Sequence, residues 1–160
     1  MQKNYPTRKN NRLEGYDYST AGYYFVTICT KDKKALLGQV VGTTAPGRPS
    51  VELAPIGQCV AETISIANKG NVKIDKYIIM PNHLHMIVIL SECEDDRGRS
   101  SLQQVVRNIK SYVTKYAGYP LWQSHFHDHI IRNHEEYLRI WQYINENPVK
   151  WTEDRYYVER

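Results

Sequence analysis

The sequence predicts an α+β domain: a single layer of mainly antiparallel sheet, of ferredoxin-like or RRM-like type, covered by helices. Three observations predict it. Apolar, β-branched runs at Tyr23–Thr30, Val72–Met80 and His83–Leu90 have the composition and alternation of strands. The last two are separated only by Pro81 and Asn82, a connection far too short for a crossover, so they pair antiparallel. Stretches of helical period lie between and after them, each of a length to lie across a sheet.

Each element has its own justification. Residues 1–22 are polar and basic, and read as an N-terminal arm ahead of a domain over 23–151. In Tyr23–Thr30, alternation puts Tyr24, Val26 and Ile28 on one face and Tyr23, Phe25, Thr27 and Cys29 on the other. A short strand near Leu36–Val41 follows, and Gly42–Ser50 is a loop by its glycine and proline content. Pro55 opens a helix to about Asn68, with Ile56, Val60, Ile64 and Ala67 along one side and Gly70 past its end. Ser91–Ser100 is a charged connection. The helix from Ser101 or Leu102 to about Tyr116 carries the apolar stripe Leu102, Val105, Val106, Ile109 and Val113, and Gly118 and Pro120 stop it. Phe126–Ile131 reads as a strand. His134–Asn145 reads as a helix ended by Asn147-Pro148, and residues 152–160 as a short tail with Tyr156 and Tyr157.

Composition narrows the class. The net charge of +4 and pI near 8.9 are compatible with a nucleic-acid partner. Thirteen tyrosines stand against two phenylalanines, which suits polar stacking faces as well as cores. Cys29, Cys59 and Cys93 are odd in number and contain no Cys-x-x-Cys, so they read as reduced thiols and not as a disulfide framework or zinc knuckle. No signal-peptide pattern and no membrane-length apolar run is visible. The expectation is a cytoplasmic, nucleoid-associated protein with no membrane partner.

The chemistry is concentrated in two places. His83 and His85 are two residues apart on a strand, so both point to the same face and form half of a site for a divalent metal. The plainer alternative is a pair of partly exposed strand residues at a turn. Tyr143 and Asn147 are four apart on the last helix, so a phenol and an amide share one helical face. Packing for the tyrosine and helix termination for an asparagine before proline explain them equally well. His125, His127 and His129 also alternate and offer a rival zinc cluster with the first pair. For nucleic acid, the basic side chains are Arg8, Lys9 and Arg12 in the lead-in, and Arg107, Lys110 and Lys115 on a helix. Tyr16, Tyr18, Tyr23 and Tyr24 are stacking candidates.

Taken together, Tyr16–Thr30, Met80-Pro-Asn-His-Leu-His85, Leu121-Trp-Gln123, Phe126–Arg132 and Tyr143–Trp151 resemble the single-tyrosine HUH transposases, in their branch associated with repetitive extragenic palindromes. The resemblance runs in order from about Arg12 to Trp151. It implies a metal-dependent endonuclease and strand transferase acting on single-stranded DNA beside hairpins. Tyr143 falls on the nucleophile, His83 and His85 on the histidine pair, and Asn147 on the polar residue that completes a Mg²⁺ or Mn²⁺ site. More distant relatives carry glutamine at that last position, and His127 stands where an aromatic residue is expected. The resemblance leaves a homodimer possible. Two other classes remain beside it: a hairpin-binding module without catalysis, and a zinc hydrolase that releases a free 5′-phosphate.

Overall fold

The computed structural model describes residues 15–42, 47–93 and 100–159. Among these, the central sheet has four strands in the order β4-β5-β1-β6, where β1 is Gly22–Cys29, β4 Val72–Met80, β5 His83–Leu90 and β6 His127–Ile131. Every neighbouring pair is antiparallel. A second, two-stranded sheet pairs β2 (Gly38–Val41) with β3 (Ser50–Leu53). The helices are α1 (Pro55–Ala67), α2 (Leu102–Ala117) and α3 (His134–Glu146).

Alternation along β1 decides the layering. Tyr24, Val26 and Ile28 are fully buried in the main core, with Leu84, Met86 and Val88 of β5 and the apolar stripes of α1 and α2. On the other face, Phe25, Ile87, Ile89 and Ile131 meet Ile140 and Ile144 of α3 in a second, smaller core. Helices therefore cover both faces, and β5 is a central strand with α3 laid along its histidine-bearing side. Helix ends follow local chemistry. Ser101 caps α2 by accepting from the Gln104 amide, Gly118 closes it in the left-handed conformation, and Asn133 caps α3 by accepting from the Glu136 amide.

The sequence reading differs from the structure at two places. The Gly42–Ser50 loop ends in a strand, β3, whose Ser-Val-Glu-Leu carries too few apolar residues to announce itself. Residues 15–21 also pack: the Tyr24 hydroxyl donates to the Thr20 carbonyl at 2.6 Å, and the Leu102 amide to the Tyr18 carbonyl at 3.2 Å.

Gly57 shows how tightly α1 seats on the β2–β3 unit. A Cβ there would lie 2.0 Å from the Leu37 carbonyl oxygen, which already accepts from the Ala54 amide. Gly57→Ala is expected to destabilise the fold by about 1–3 kcal/mol in urea unfolding, because this backbone overlap outweighs the gain in helix propensity. An unchanged midpoint would contradict that seating.

Candidate active site

Three segments converge on the α3 face of the sheet. The first is the start of β5. His83 and His85 are 0% and 1% exposed, and their ring centroids lie 4.4 Å apart. The one break in β4–β5 register falls between Ile74 and Lys76, well away from the histidines, so the two rings keep the shared face that period two gives them. The second is the last turn of α3, with Tyr143 40% exposed and Asn147 2% exposed. The third is the chain after α3. It passes through a 3-10 turn at Trp151–Glu153 and lays Asp154 and Tyr156 over the histidines, with the Tyr156 ring 4.5 Å from that of His83.

Hydrogen bonds fix both imidazoles through Nδ1. His83 Nδ1 is 2.8 Å from Asn82 Oδ1, and His85 Nδ1 is 2.8 Å from Thr27 Oγ1. The Asn82 amide nitrogen donates to the carbonyls of Tyr156 and Lys33, which turns its Oδ1 toward His83 as an acceptor. A proton on His83 Nδ1 leaves Nε2 as a lone pair. That Nε2 and the Asn147 Oδ1 are both buried and both lack a hydrogen-bond partner among the described residues. These two buried acceptors lie side by side, Asn147 being close enough to pull the His83 proton affinity up, and a cation placed between them would satisfy both. The ligand atoms of His83, His85 and Asp154 all lie within 4.8 Å of one another. Two imidazole nitrogens, a carboxylate and an amide oxygen fit a divalent ion, and these are the residues that could hold one.

The nucleophile candidate sits beside this group. The Tyr143 hydroxyl is 3.3 Å from His85 Nε2 and donates to Asp154 Oδ2 at 3.2 Å, while Asn147 Nδ2 donates to the same oxygen at 2.8 Å. Burial and the Asp154 charge push the Tyr143 phenol up to about 12, so without a counter-charge it stays protonated. Burial pushes His83 down to about 4, with Asp154 and Asn147 pulling the other way, and holds His85 well below its ordinary value. Both are neutral at neutral pH, the form in which an imidazole can ligate a metal.

The sign of their effect on folding follows. Each binds its proton more weakly folded than unfolded, so its contribution is present above the ordinary value of 6.5 and is lost as pH falls toward 4. Metal-free protein in chelator is expected to lose melting temperature steeply between pH 6.5 and 4, and His83→Ala less steeply. Equal slopes would refute the assignment.

The remaining sequence candidates fall elsewhere. Tyr137 shares α3 with Tyr143, but its hydroxyl is engaged with Asp75 Oδ2 at 2.5 Å, at the other end of the sheet. His129 bonds Glu136 at 2.6 Å, and His125, His127 and His129 do not join the histidine–aspartate group. β6 lies two strands from β5, roughly 10 Å across the sheet. Tyr18 and Tyr24 are core residues, 7% and 0% exposed, which removes them as stacking groups; Tyr23 is 44% exposed. Arg107 is exposed on α2, in the layer opposite the site. Lys110 is half-buried, donates to the carbonyls of Gln123 and Ser124, and is pushed down by burial. Arg8, Lys9 and Arg12 lie outside the described residues.

Asp154, Asn82, Thr27, Lys33 and Arg155 were not anticipated from the sequence. Arg155 lies over the Tyr156 ring at 4.7 Å and bonds its hydroxyl, and Lys33 approaches the same ring at 5.8 Å, so two cations flank the site.

No family model matches the chain. It is 32% identical to an uncharacterised protein of Haemophilus influenzae, over 95% of this chain and 94% of that one. It is 35% identical to the REP-associated tyrosine transposase of Escherichia coli, over 54% of this chain and 50% of that protein. Among solved structures it resembles a REP-associated tyrosine transposase bound to a REP hairpin, with a TM-score of 0.64 and 26% identity, covering 88% of this chain and 74% of that one.

Proposed function

Because the chain belongs to the REP-associated tyrosine transposase family, we propose that it cleaves and rejoins single-stranded DNA beside hairpins through a 5′-phosphotyrosine link. The observation that carries this reading is the pair of unpartnered buried acceptors, His83 Nε2 and Asn147 Oδ1, next to a solvent-reachable phenol. Three of the four ring nitrogens are satisfied within the fold, and the fourth, His83 Nε2, is left beside the Asn147 oxygen where an ion would be held.

In this reading His83 and His85 hold a divalent ion together with Asp154 and the Asn147 oxygen. A bound Mg²⁺ or Mn²⁺ supplies positive charge at the scissile phosphate and favours loss of the phenol proton. The Tyr143 oxygen forms a bond to phosphorus while the bond from phosphorus to the 3′-oxygen breaks, leaving a 5′-phosphotyrosine and a free 3′-hydroxyl. The Asp154 carboxylate, 3.2 Å from the phenol, takes the proton, and solvent returns one to the departing 3′-oxygen. Arg155 and Lys33 offer charge to the flanking phosphates. Rejoining reverses the step with another 3′-hydroxyl, so no nucleotide cofactor is consumed. The catalytic domain in this reading spans 23–151 together with Asp154 and Arg155 from the tail.

The test is direct. A hairpin oligonucleotide with unpaired flanks, incubated with protein and either Mn²⁺ or Mg²⁺, is expected to yield a denaturation-resistant protein–DNA adduct that chelator prevents. Hairpin binding indifferent to chelator, without cleavage of any flank, would favour the non-catalytic binding module. A free 5′-phosphate without an adduct would favour hydrolysis.

A further inference from the structure

We propose that the cavity under the first turns of α3 binds one unpaired nucleotide of the same DNA strand whose phosphate reaches Tyr143. This rests on the reading given under Proposed function and adds to it a second contact point on the strand.

The cavity measures about 480 Å³, within the size range of small-ligand sites. Its floor is a row across three strands, Ile89, Tyr23 and Ile131, in which Tyr23 pairs directly with both isoleucines. Its wall is aromatic. The Tyr137 ring stands edge-on to Tyr23 at 5.9 Å, and the exposed His134 ring stacks on Tyr137 at an interplanar angle of 18°. Lys73 and Arg132 line the same cavity from β4 and from the end of β6. Aromatic rings beside a cation suit an unpaired base and its phosphate, and Arg132 is the lining cation not engaged by Asp75, which Lys73 pairs at 2.8 Å.

Two details indicate a built site and not a gap left by packing. Asp75 is the extra residue at the irregularity between Ile74 and Lys76, where a bulge re-aims a side chain. It is matched on both sides, by the Lys73 ammonium at 2.8 Å and the Tyr137 hydroxyl at 2.5 Å, so the carboxylate holds the wall in place without opposing an anion. The cavity also lies on the catalytic face at a usable distance. Tyr23 is four residues from Thr27, the partner of His85, and Tyr137 is six residues from Tyr143, which puts the two sites about 9–13 Å apart. A few nucleotides of extended strand span that.

Tyr23 is exposed and Arg132 lies on the surface, so both can be changed without opening the core. A hairpin whose unpaired flanks are lengthened one nucleotide at a time, on each side in turn, is expected to bind wild type in a step of roughly tenfold at one flank length. Tyr23→Ala and Arg132→Gln should lose that step, Tyr23→Phe should keep it, and all three should bind the bare hairpin as wild type does. A 5-iodouracil at the stepping position should photo-crosslink to Tyr23, His134 or Tyr137. The step persisting in both variants, or crosslinks falling elsewhere while wild type still forms its adduct, would overturn this inference alone. Wild type that binds no hairpin and forms no adduct would overturn the proposed function and this inference together.

Discussion

Tyr143→Phe is expected to abolish the covalent protein–DNA adduct, with a loss of about 10⁴-fold or more, since in the proposed reaction it removes the nucleophile and with it the reaction path. The substitution takes away one oxygen and leaves the ring against Phe25 and His85, where it packs at 6.1 and 5.3 Å between centroids. Folding stability should therefore change by no more than about 1 kcal/mol, the worth of a partly exposed hydrogen bond. Hairpin affinity should hold, because binding does not need the phenol oxygen. Tyr137→Phe is the informative control. It sits on the same helix, but its hydroxyl serves Asp75 in the neighbouring cavity, so the adduct should still form, with any loss appearing in strand affinity and not in the covalent step. An adduct that survives in Tyr143→Phe and disappears in Tyr137→Phe would transfer the role.

His83→Ala is expected to remove metal binding and, with it, cleavage. The readout that separates this from simple misfolding is thermal. An ion that binds only the folded protein stabilises it by about 2.7 kcal/mol at a hundredfold excess over its dissociation constant. Wild type should thus melt higher with Mn²⁺ than with chelator, and His83→Ala should melt at one temperature in both. Asp154→Asn keeps the side-chain shape, removes the charge and turns one of two accepting oxygens into a donor, so it should weaken the Mn²⁺-induced rise. Asn147→Ala removes an orphaned oxygen and the donor to Asp154 together. If it leaves the Mn²⁺ shift intact while Asp154→Asn eliminates it, the third ligand is the carboxylate and the amide only positions it.

Most of the fold was legible because each strand or helix near the site carries one dominant period. Val72–Met80 and His83–Leu90 coincide with the strands read from their apolar, β-branched composition on either side of Pro81-Asn82, and the histidine face follows from counting by two. Tyr143 and Asn147 were readable together for the same reason, being one turn apart on an amphipathic helix. Asp154 was not, since it follows irregular chain after the helix, and no periodicity says where such chain returns. Asn82 was read as turn punctuation, and only the packed structure reveals that its amide is buried between an imidazole and the tail. The four lead-in and β1 tyrosines illustrate the opposite limit. Composition marks them all as stacking groups, but the hydroxyl contacts of Tyr24 with Thr20 and Tyr16 make it a core residue, and only Tyr23 faces out at the cavity.

The unequal division of the core has a consequence for the proposed nucleophile. The α1–α2 side of the sheet carries nearly all of the fully buried apolar side chains, whereas α3 is held by Ile87, Ile131 and Ile144 with partly covered neighbours. Opening free energies follow local burial, so the amides of α3 should exchange with solvent deuterium through a sub-global opening that leaves β1, β5 and α2 protected. The tyrosine is thus mounted on the least anchored helix of the domain, while the histidines stand on its most protected strand. Ligation that bridges the two, through His83 and His85 on one side and Asn147 or Asp154 on the other, would slow exchange in α3 selectively. The ion would then set the rigidity of the nucleophile as well as its acidity.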